Sequence, residues 1–304
     1  MSSPRAIGID VGGTKILAGV VESDGAVVRS ERLATPTEST EAFLRGLASV
    51  VDALRDESVG AVGIGIPSTV DQREGTAVFS VHVPLAGIPL RERAEQYLGL
   101  PVAIDNDANA AAVAEWAVGA GRGTSDMVML TLGTGIGGGL ILGGRLYRGA
   151  TGAAAELGHL VIDFDGPQCR GFCTGRGHFE RFVSGSAADD LARELIGLEA
   201  TAKDLVAAAR AGEDGALAAL QDMGRKLGAG MASLVNVFDP ELIVIGGGFG
   251  EALDFLLGPA LQTMRRDALP PGRDRVRVVP ATLGEEAGMV GAGLIALELI
   301  GERA

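Results

Sequence analysis

The strongest constraint on the fold is a plan that the chain uses twice. "IGIDVGGTKILAGVV" (7–21) and "MLTLGTGIGGGLIL" (129–142) each read as an apolar run, a turn rich in glycine and threonine, and a second apolar run. Short apolar runs bounded by glycine turns predict buried strands. Two such plans in a chain of 304 residues predict two related α/β halves facing each other across a cleft. Glycine, with 47 residues, is concentrated in these turns and in "VIGGGFG" (244–250) and "GMVGAGL" (288–294). It follows no Gly-X-Y period, which excludes collagen.

Such a turn exposes N–H groups and a hydroxyl with no Cβ in the way, which suits phosphate oxygens. In the first copy, Asp10 precedes Gly12-Gly13-Thr14 at a strand end, where a carboxylate can hold hydrated Mg²⁺, and Lys15 adds a positive charge. An ordinary hairpin is the alternative. A Walker A loop is absent, because Gly13 is followed by Thr14 and only then by Lys15. Gly133, Gly135 and Gly138 match the spacing of a dinucleotide fingerprint. That fingerprint must open a helix, however, whereas "GGLILGG" reads as another strand.

The rest of the chain reads as alternating strands and helices. "RAIGIDV", "KILAGVV" and "AVVRSERL" predict three consecutive strands joined by hairpins. Residues 39–57 have helical spacing at Phe43, Leu47, Val50, Val51 and Leu54, with Ser39 or Thr40 as cap. "VGAVGIGIP" reads as a buried strand, and 100–119 as a short strand followed by a helix from about Asn109. The second half is more helical, with a strand at "ELIVIGGGFG", a helix over about 251–266, a strand at "RVRVVPA" and a final helix from "EEAGMVGAGL".

Two polar clusters stand out. Asp105, Asn106, Asp107 and Asn109 crowd the start of an alanine-rich helix. One residue suffices for a cap, and a carboxylate at a strand-to-helix junction can accept a proton from a substrate hydroxyl. The second cluster lies in 149–180. The chain has three histidines and two cysteines, and four of these five are His159, Cys169, Cys173 and His178. Together they supply two nitrogen and two sulfur donors, the number that a structural zinc takes. A redox pair is disfavoured by the Cys-x-x-x-Cys spacing. Two unpaired thiols with two surface histidines remain the alternative. Glu156 and Glu180 add carboxylates nearby.

Charge narrows the classes of function. Thirty-nine acidic against 26 basic residues give a net charge of −13, which repels nucleic-acid backbones. The start has no signal-peptide pattern and no stretch has membrane-span length, so the expectation is a cytoplasmic protein with no nucleic-acid or membrane partner.

Taken in order, these motifs resemble the ROK family of sugar kinases, within the actin/hexokinase/Hsp70-like superfamily, over nearly the whole chain. "IGIDVGGTKI" and "LTLGTGIGGG" look like its two phosphate motifs and "VIGGGFG" its adenosine motif. "DNDANAAAVAE" and "GMVGAGL" look like its connecting segments. "GAAAELGH" and "GPQCRGFCTGRGHFERFVSG" look like its sugar and zinc signatures. In this chain His178 stands where the family has a third cysteine, Ala155 stands where glycine commonly precedes the glutamate, and His82 lies in a segment that often contains asparagine and borders the sugar cleft.

The resemblance implies two ribonuclease-H-like α/β domains flanking an active-site cleft. The smaller would span 1–118 with the C-terminal helix 286–304, and the larger 119–285. It implies ATP-dependent phosphorylation of a hexose at its 6-hydroxyl, glucose first. Mannose, fructose, N-acetylglucosamine or N-acetylmannosamine as acceptor, polyphosphate as donor, and a sugar-responsive regulator are the alternatives. Asp107 would be the general base, and Asn106, Glu156, His159 and Glu180 would bind sugar hydroxyls. Asp10, Gly12, Gly13, Thr14 and Lys15, then Gly133, Thr134 and Gly135, then Gly246, Gly247 and Gly248, would hold Mg²⁺ and ATP. A structural Zn²⁺ would sit on His159, Cys169, Cys173 and His178. A homodimer or homotetramer is expected. Some members of this family are repressors that carry a helix-turn-helix module before the first phosphate motif; with that motif beginning at Ile7 here, such a module is not expected.

Overall fold

The computed structural model describes residues 4–80, 83–171 and 173–301. Its elements run β1 (Arg5–Val11), β2 (Lys15–Val21), β3 (Val27–Ala34), α1 (Thr40–Leu54), β4 (Val59–Ile66), β5 (Val70–Asp71), β6 (Thr76–Ala77), α2 (Leu90–Leu98), β7 (Val102–Asn106) and α3 (Asp107–Val118). They continue with β8 (Met127–Leu132), β9 (Ile136–Leu142), β10 (Arg145–Leu146), α4 (Glu180–Val183), α5 (Gly185–Leu195), α6 (Ala202–Arg210), α7 (Asp214–Phe238) and β11 (Leu242–Gly246). The last are α8 (Leu253–Asp267), α9 (Gly272–Arg275), β12 (Arg277–Pro280) and α10 (Ala287–Gly301).

The repeated sequence plan becomes a repeated sheet. One sheet has the order β3-β2-β1-β4-β7 and the other β10-β9-β8-β11-β12. In the first, β2 is antiparallel to β1 and β3, while β4 is parallel to β1 and β7. In the second, β10 is antiparallel to β9, and β11 is parallel to both β8 and β12. Each glycine turn joins the first and second strands of its sheet, so each candidate phosphate turn occupies the equivalent place. This is the two-sheet α/β architecture expected from the motifs.

Contacts divide the chain into two compact units. One comprises Met1–Gly123, Gly139–Ala155 and Ala281–Ala304, and the other Thr124–Gly138 and Glu156–Pro280. The sequence expectation closed the first domain at 118 and gave 139–155 to the second. That segment groups with the first unit because it packs on α3: a Cβ on Gly139 would lie 2.3 Å from Cβ of Ala112.

Within the first unit, Ser39 caps α1 by accepting from Ala42 N at 3.1 Å. The helix then buries Phe43, Leu44, Leu47, Val50, Val51 and Leu54 on the sheet. Each such side chain contributes about 1.5–3 kcal/mol when withdrawn from water. On α10, small residues allow close contact with the sheet and α3. A Cβ would fall 1.9 Å from Met289 O at Gly8, 1.8 Å from Ala292 O at Gly63, and 1.7 Å from Ala110 O at Gly291. Glu115, fully buried on α3, accepts from the backbone N–H of Ala120, Thr282 and Leu283, each at 2.8 Å. It thereby ties the end of α3 to the segment that leads into α10.

Two expected boundaries move. The helix expected from about Asn109 starts at Asp107, and that expected from 251 begins as a 3-10 turn (Gly250–Ala252) before α8. His82 lies outside the described residues. Among the described residues no helix is long and apolar enough to cross a membrane.

Candidate functional site

In the first unit the phosphate turn is closed by Gly12 N–H donating to Lys15 O at 2.9 Å. Thr35 braces it, its hydroxyl donating to Gly12 O at 2.7 Å and its N–H to Thr14 O at 3.1 Å. Gly12 thus shapes the turn and uses its own donor in doing so. Lys15 Nζ holds Glu285 at 2.8 Å. Asp10 ends largely buried against α10, where a Cβ on Gly288 would lie 2.6 Å from its Cγ. Burial pushes its carboxyl from 3.8 up to about 6, against the pull of the Lys15 charge. A carboxylate held this way gains from a nearby cation, so it fits a magnesium ligand.

The same unit carries the base candidate. Asn106 caps α3, its Oδ1 accepting from Ala108 N at 2.9 Å and Asn109 N at 3.1 Å. Its Nδ2 lies 3.4 Å from Ser68 O. Asp107 is the first helical residue and accepts from Ala108 N at 2.8 Å. Asp105, 2% exposed, accepts from Asn106 N at 2.8 Å, from Asn109 Nδ2 at 2.9 Å and from Arg148 Nε at 2.6 Å. Sequence reasoning noted Asp105 and did not find Arg148, whose partner is 43 residues away.

In the second unit, Gly133 N–H donates to Gly135 O at 2.9 Å, closing the equivalent turn. The turn abuts the start of α5 through Gly185 N–H to Gly133 O at 2.8 Å and Ser186 N–H to Thr134 O at 3.2 Å. Gly247 adopts φ +98° and lies so near Leu132 that a Cβ would be 2.3 Å from its carbonyl oxygen. A cavity of about 530 Å³ is lined by Gly133, Thr134, Ser186, Gly248 and Phe249 among others. The second phosphate turn and the predicted adenosine turn therefore share one cavity. Its further lining by Asp189, Thr201, Lys203 and Glu251 was not found from sequence, because those side chains come from the body of α5, the start of α6 and the turn before α8, none of which carries a motif.

Glu180 opens α4, and its Oε2 accepts from Ile136 N at 3.0 Å, just after the glycine turn. Gly135 leaves room for this carboxylate: a Cβ there would lie 2.0 Å from Oε2. Glu156 is exposed and precedes the 3-10 turn Leu157–His159. Ala155 sits at φ +67°, a left-handed conformation that glycine adopts without strain.

His159, Cys169, Cys173 and His178 come together, their donor atoms all within 4.8 Å of one another. The two Nδ1 atoms are 3.0 Å apart. Cys169 Sγ lies 3.8 Å from His159 Nδ1, and Cys173 Sγ lies 3.6 Å from His178 Nδ1. Zinc with nitrogen at about 2.0 Å and sulfur at about 2.3 Å sets tetrahedral edges of about 3.3–3.8 Å. The two sulfur–nitrogen distances fall in that range, the two nitrogens stand closer, and the whole set spreads to 4.8 Å, so the donors are gathered as a zinc set without yet closing a tetrahedron. Both imidazoles turn Nδ1 inward, which leaves Nε2 as the outer nitrogen of His159. Burial, then the neighbouring His159, holds His178 below its ordinary value, while burial and then Cys173 push the Cys169 thiol up. The loop is set by Cys169 N–H to Gly175 O at 2.8 Å and Gly177 N–H to Pro167 O at 2.9 Å.

A model of the ROK family matches residues 6–298. The glucokinase of Streptomyces coelicolor is 37% identical over 311 aligned positions, covering 96% of this chain and 97% of the relative. The ROK family glucokinase from Streptomyces griseus, solved in complex with glucose and AMPPNP, is 36% identical with a TM-score of 0.82, over 97% of this chain and 99% of that one. The ROK hexokinase from Thermus thermophilus is 33% identical with a TM-score of 0.86, over 98% and 99%.

Proposed function

Because the chain belongs to the ROK family, we propose that it transfers the γ-phosphoryl group of ATP to the 6-hydroxyl of a hexose, glucose first among them. The observation that carries this reading is the near full-length likeness to a glucokinase solved with glucose and AMPPNP.

Asp107 takes the proton from the 6-hydroxyl as that oxygen attacks the γ-phosphorus in line. General-base assistance of this kind contributes about 10²–10⁴ in rate. The acceptor sugar is held by Asn106, Glu156, His159 and Glu180. The bonds already made decide which atoms do so. Asn106 Oδ1 caps α3, so the sugar meets Nδ2 through the hydrogen not turned to Ser68 O; Glu180 Oε2 holds Ile136, so Oε1 meets the sugar. Gly13, Thr14, Thr134 and Gly135 donate to phosphate oxygens. Lys15 joins them on leaving Glu285. The adenosine takes the cavity beside Gly246, Gly247 and Gly248. Magnesium beside Asp10, when bound, supplies neutralisation of charge on the transferring phosphates.

The four nitrogen and sulfur donors would hold a zinc whose chemistry is structural. His159 and His178 with Cys169 and Cys173 then fix the 159–178 loop, and His159 offers Nε2 to the sugar with its tautomer set by the inward Nδ1. The protein works as a homodimer or homotetramer.

A coupled ADP-release assay over a panel of hexoses, with ATP and polyphosphate compared as donors, tests the reading. ATP-dependent turnover with glucose as the best acceptor is expected. No turnover of any hexose would refute it.

A further inference from the structure

We propose that Asp105 and Arg148 form a positioning pair for the base Asp107, so that loss of either costs catalysis more than sugar affinity. This rests on the sugar-kinase reading above. Asp105 stands at the end of β7 with both carboxylate oxygens engaged. Oδ1 accepts from Asn106 N and from Asn109 Nδ2, while Oδ2 accepts from Arg148 Nε at 2.6 Å. Asn106 and Asn109 flank Asp107, one residue before and two after. A single buried carboxylate therefore fixes the backbone entering the base and the first turn that leaves it.

Capping does not explain Asp105, because Asn106 supplies the cap. Nor is a carboxylate with 2% exposure retained cheaply, since an unpaired buried charge is strongly unfavourable. Arg148 supplies the pairing and also neutralises Asp105 two residues from Asp107.

The position of Arg148 adds a second role. It opens the segment 148–155 that follows β10. Gln72 N–H donates to Thr151 O at 3.1 Å, and Gln72 Nε2 donates to Ile104 O at 2.9 Å, on the same strand as Asp105. Gly152 lies so close to β5 that a Cβ would fall 2.3 Å from Val70 O. The segment ends at the left-handed Ala155, and the chain passes directly into Glu156. Asp105 thus registers the base against the segment that leads into a sugar ligand.

The test is a double-mutant cycle on kcat in the full-length protein, using Asp105→Asn, Arg148→Met and the double variant. ADP release is followed at saturating ATP with glucose varied. Each single variant should lose about 10- to 100-fold in kcat, the cost of a misplacement near 1 Å. The KM for glucose should rise less than kcat falls, because Asn106 and Glu156, which the pair also supports, are only part of the sugar's set of partners. The double variant should be no slower than the worse single, since the two residues act as one unit. Losses that multiply, or wild-type kcat in both singles, would overturn the pair. Should Arg148→Met fail to fold, Arg148→Lys carries the test. Retaining the charge, it should keep kcat within about tenfold with unchanged KM, and a loss in KM alone would overturn the proposal. A wild-type protein without hexose turnover would instead refute the sugar-kinase reading on which the pair depends.

Discussion

Replacing Asp10 with asparagine should make the protein more stable and less active, with a pH dependence that identifies the cause. Burial holds the Asp10 carboxyl at about 6 against an ordinary 3.8. A raised folded-state value means that the folded protein keeps a proton which the unfolded chain has released. Below about pH 3 both states are protonated and the group costs nothing. As pH rises from about 3 to 6 the penalty develops, and above pH 6 it is complete. At about 1.4 kcal/mol per pH unit it amounts to about 3 kcal/mol at pH 7, with roughly half present at pH 5. Asparagine never ionises, so Asp10→Asn should gain about 0.5 kcal/mol near pH 4 and up to about 3 kcal/mol at pH 7 to 8. Urea unfolding at pH 5, 6, 7 and 8 reads this directly as a widening gap between the two proteins. Magnesium with ATP should narrow the gap, because a cation beside the carboxylate stabilises its ionised form. Phosphorylation by the variant should fall by at least about tenfold. A stability difference that is flat from pH 5 to 8 would refute the buried-carboxylate reasoning.

Metal analysis of protein purified without chelator should find about one zinc per chain. His178→Ala should reduce both that content and the melting temperature, and wild-type values of both would remove His178 from the ligand set. Ala155→Gly should stabilise by about 0.5–1 kcal/mol in urea unfolding, because the left-handed backbone strains alanine and not glycine. A destabilised Ala155→Gly variant would mean that the strain is offset by the alanine's contacts.

Much of the fold was legible because its signals are local. The strands at 5–11, 15–21 and 127–132 are apolar runs cut by glycine turns, and the repeat of that plan predicted two related halves, which the structure shows as two sheets of equivalent order. The Ser39 cap and the apolar face of α1 were equally direct. What failed to show was either weakly patterned or nonlocal. α2 is "LRERAEQYL", whose buried Leu90, Ala94 and Leu98 are hidden among polar residues. The assignment of 139–155 to the first unit depends on Gly139 meeting Ala112, a contact that no local pattern encodes. At the site, residue types singled out the four His and Cys side chains that the fold brings together, and named Asp107 as the candidate base. The sequence could not reveal that Asn106 and not Asp107 supplies the cap, or that Gly12 and Gly133 close their turns with their own N–H groups. Arg148 carried no motif at all, because its meaning comes only from Asp105.

The central claim, phosphoryl transfer from ATP to a hexose with Asp107 as base, is tested most directly by glucose 6-phosphate formation in wild type and Asp107→Ala. The variant's fold and glucose binding are checked in parallel. The account predicts ATP-dependent product in wild type and a loss of about 10²–10⁴ or more in the variant, with the melting temperature and glucose affinity retained. Turnover like that of wild type in a folded Asp107→Ala protein would contradict it.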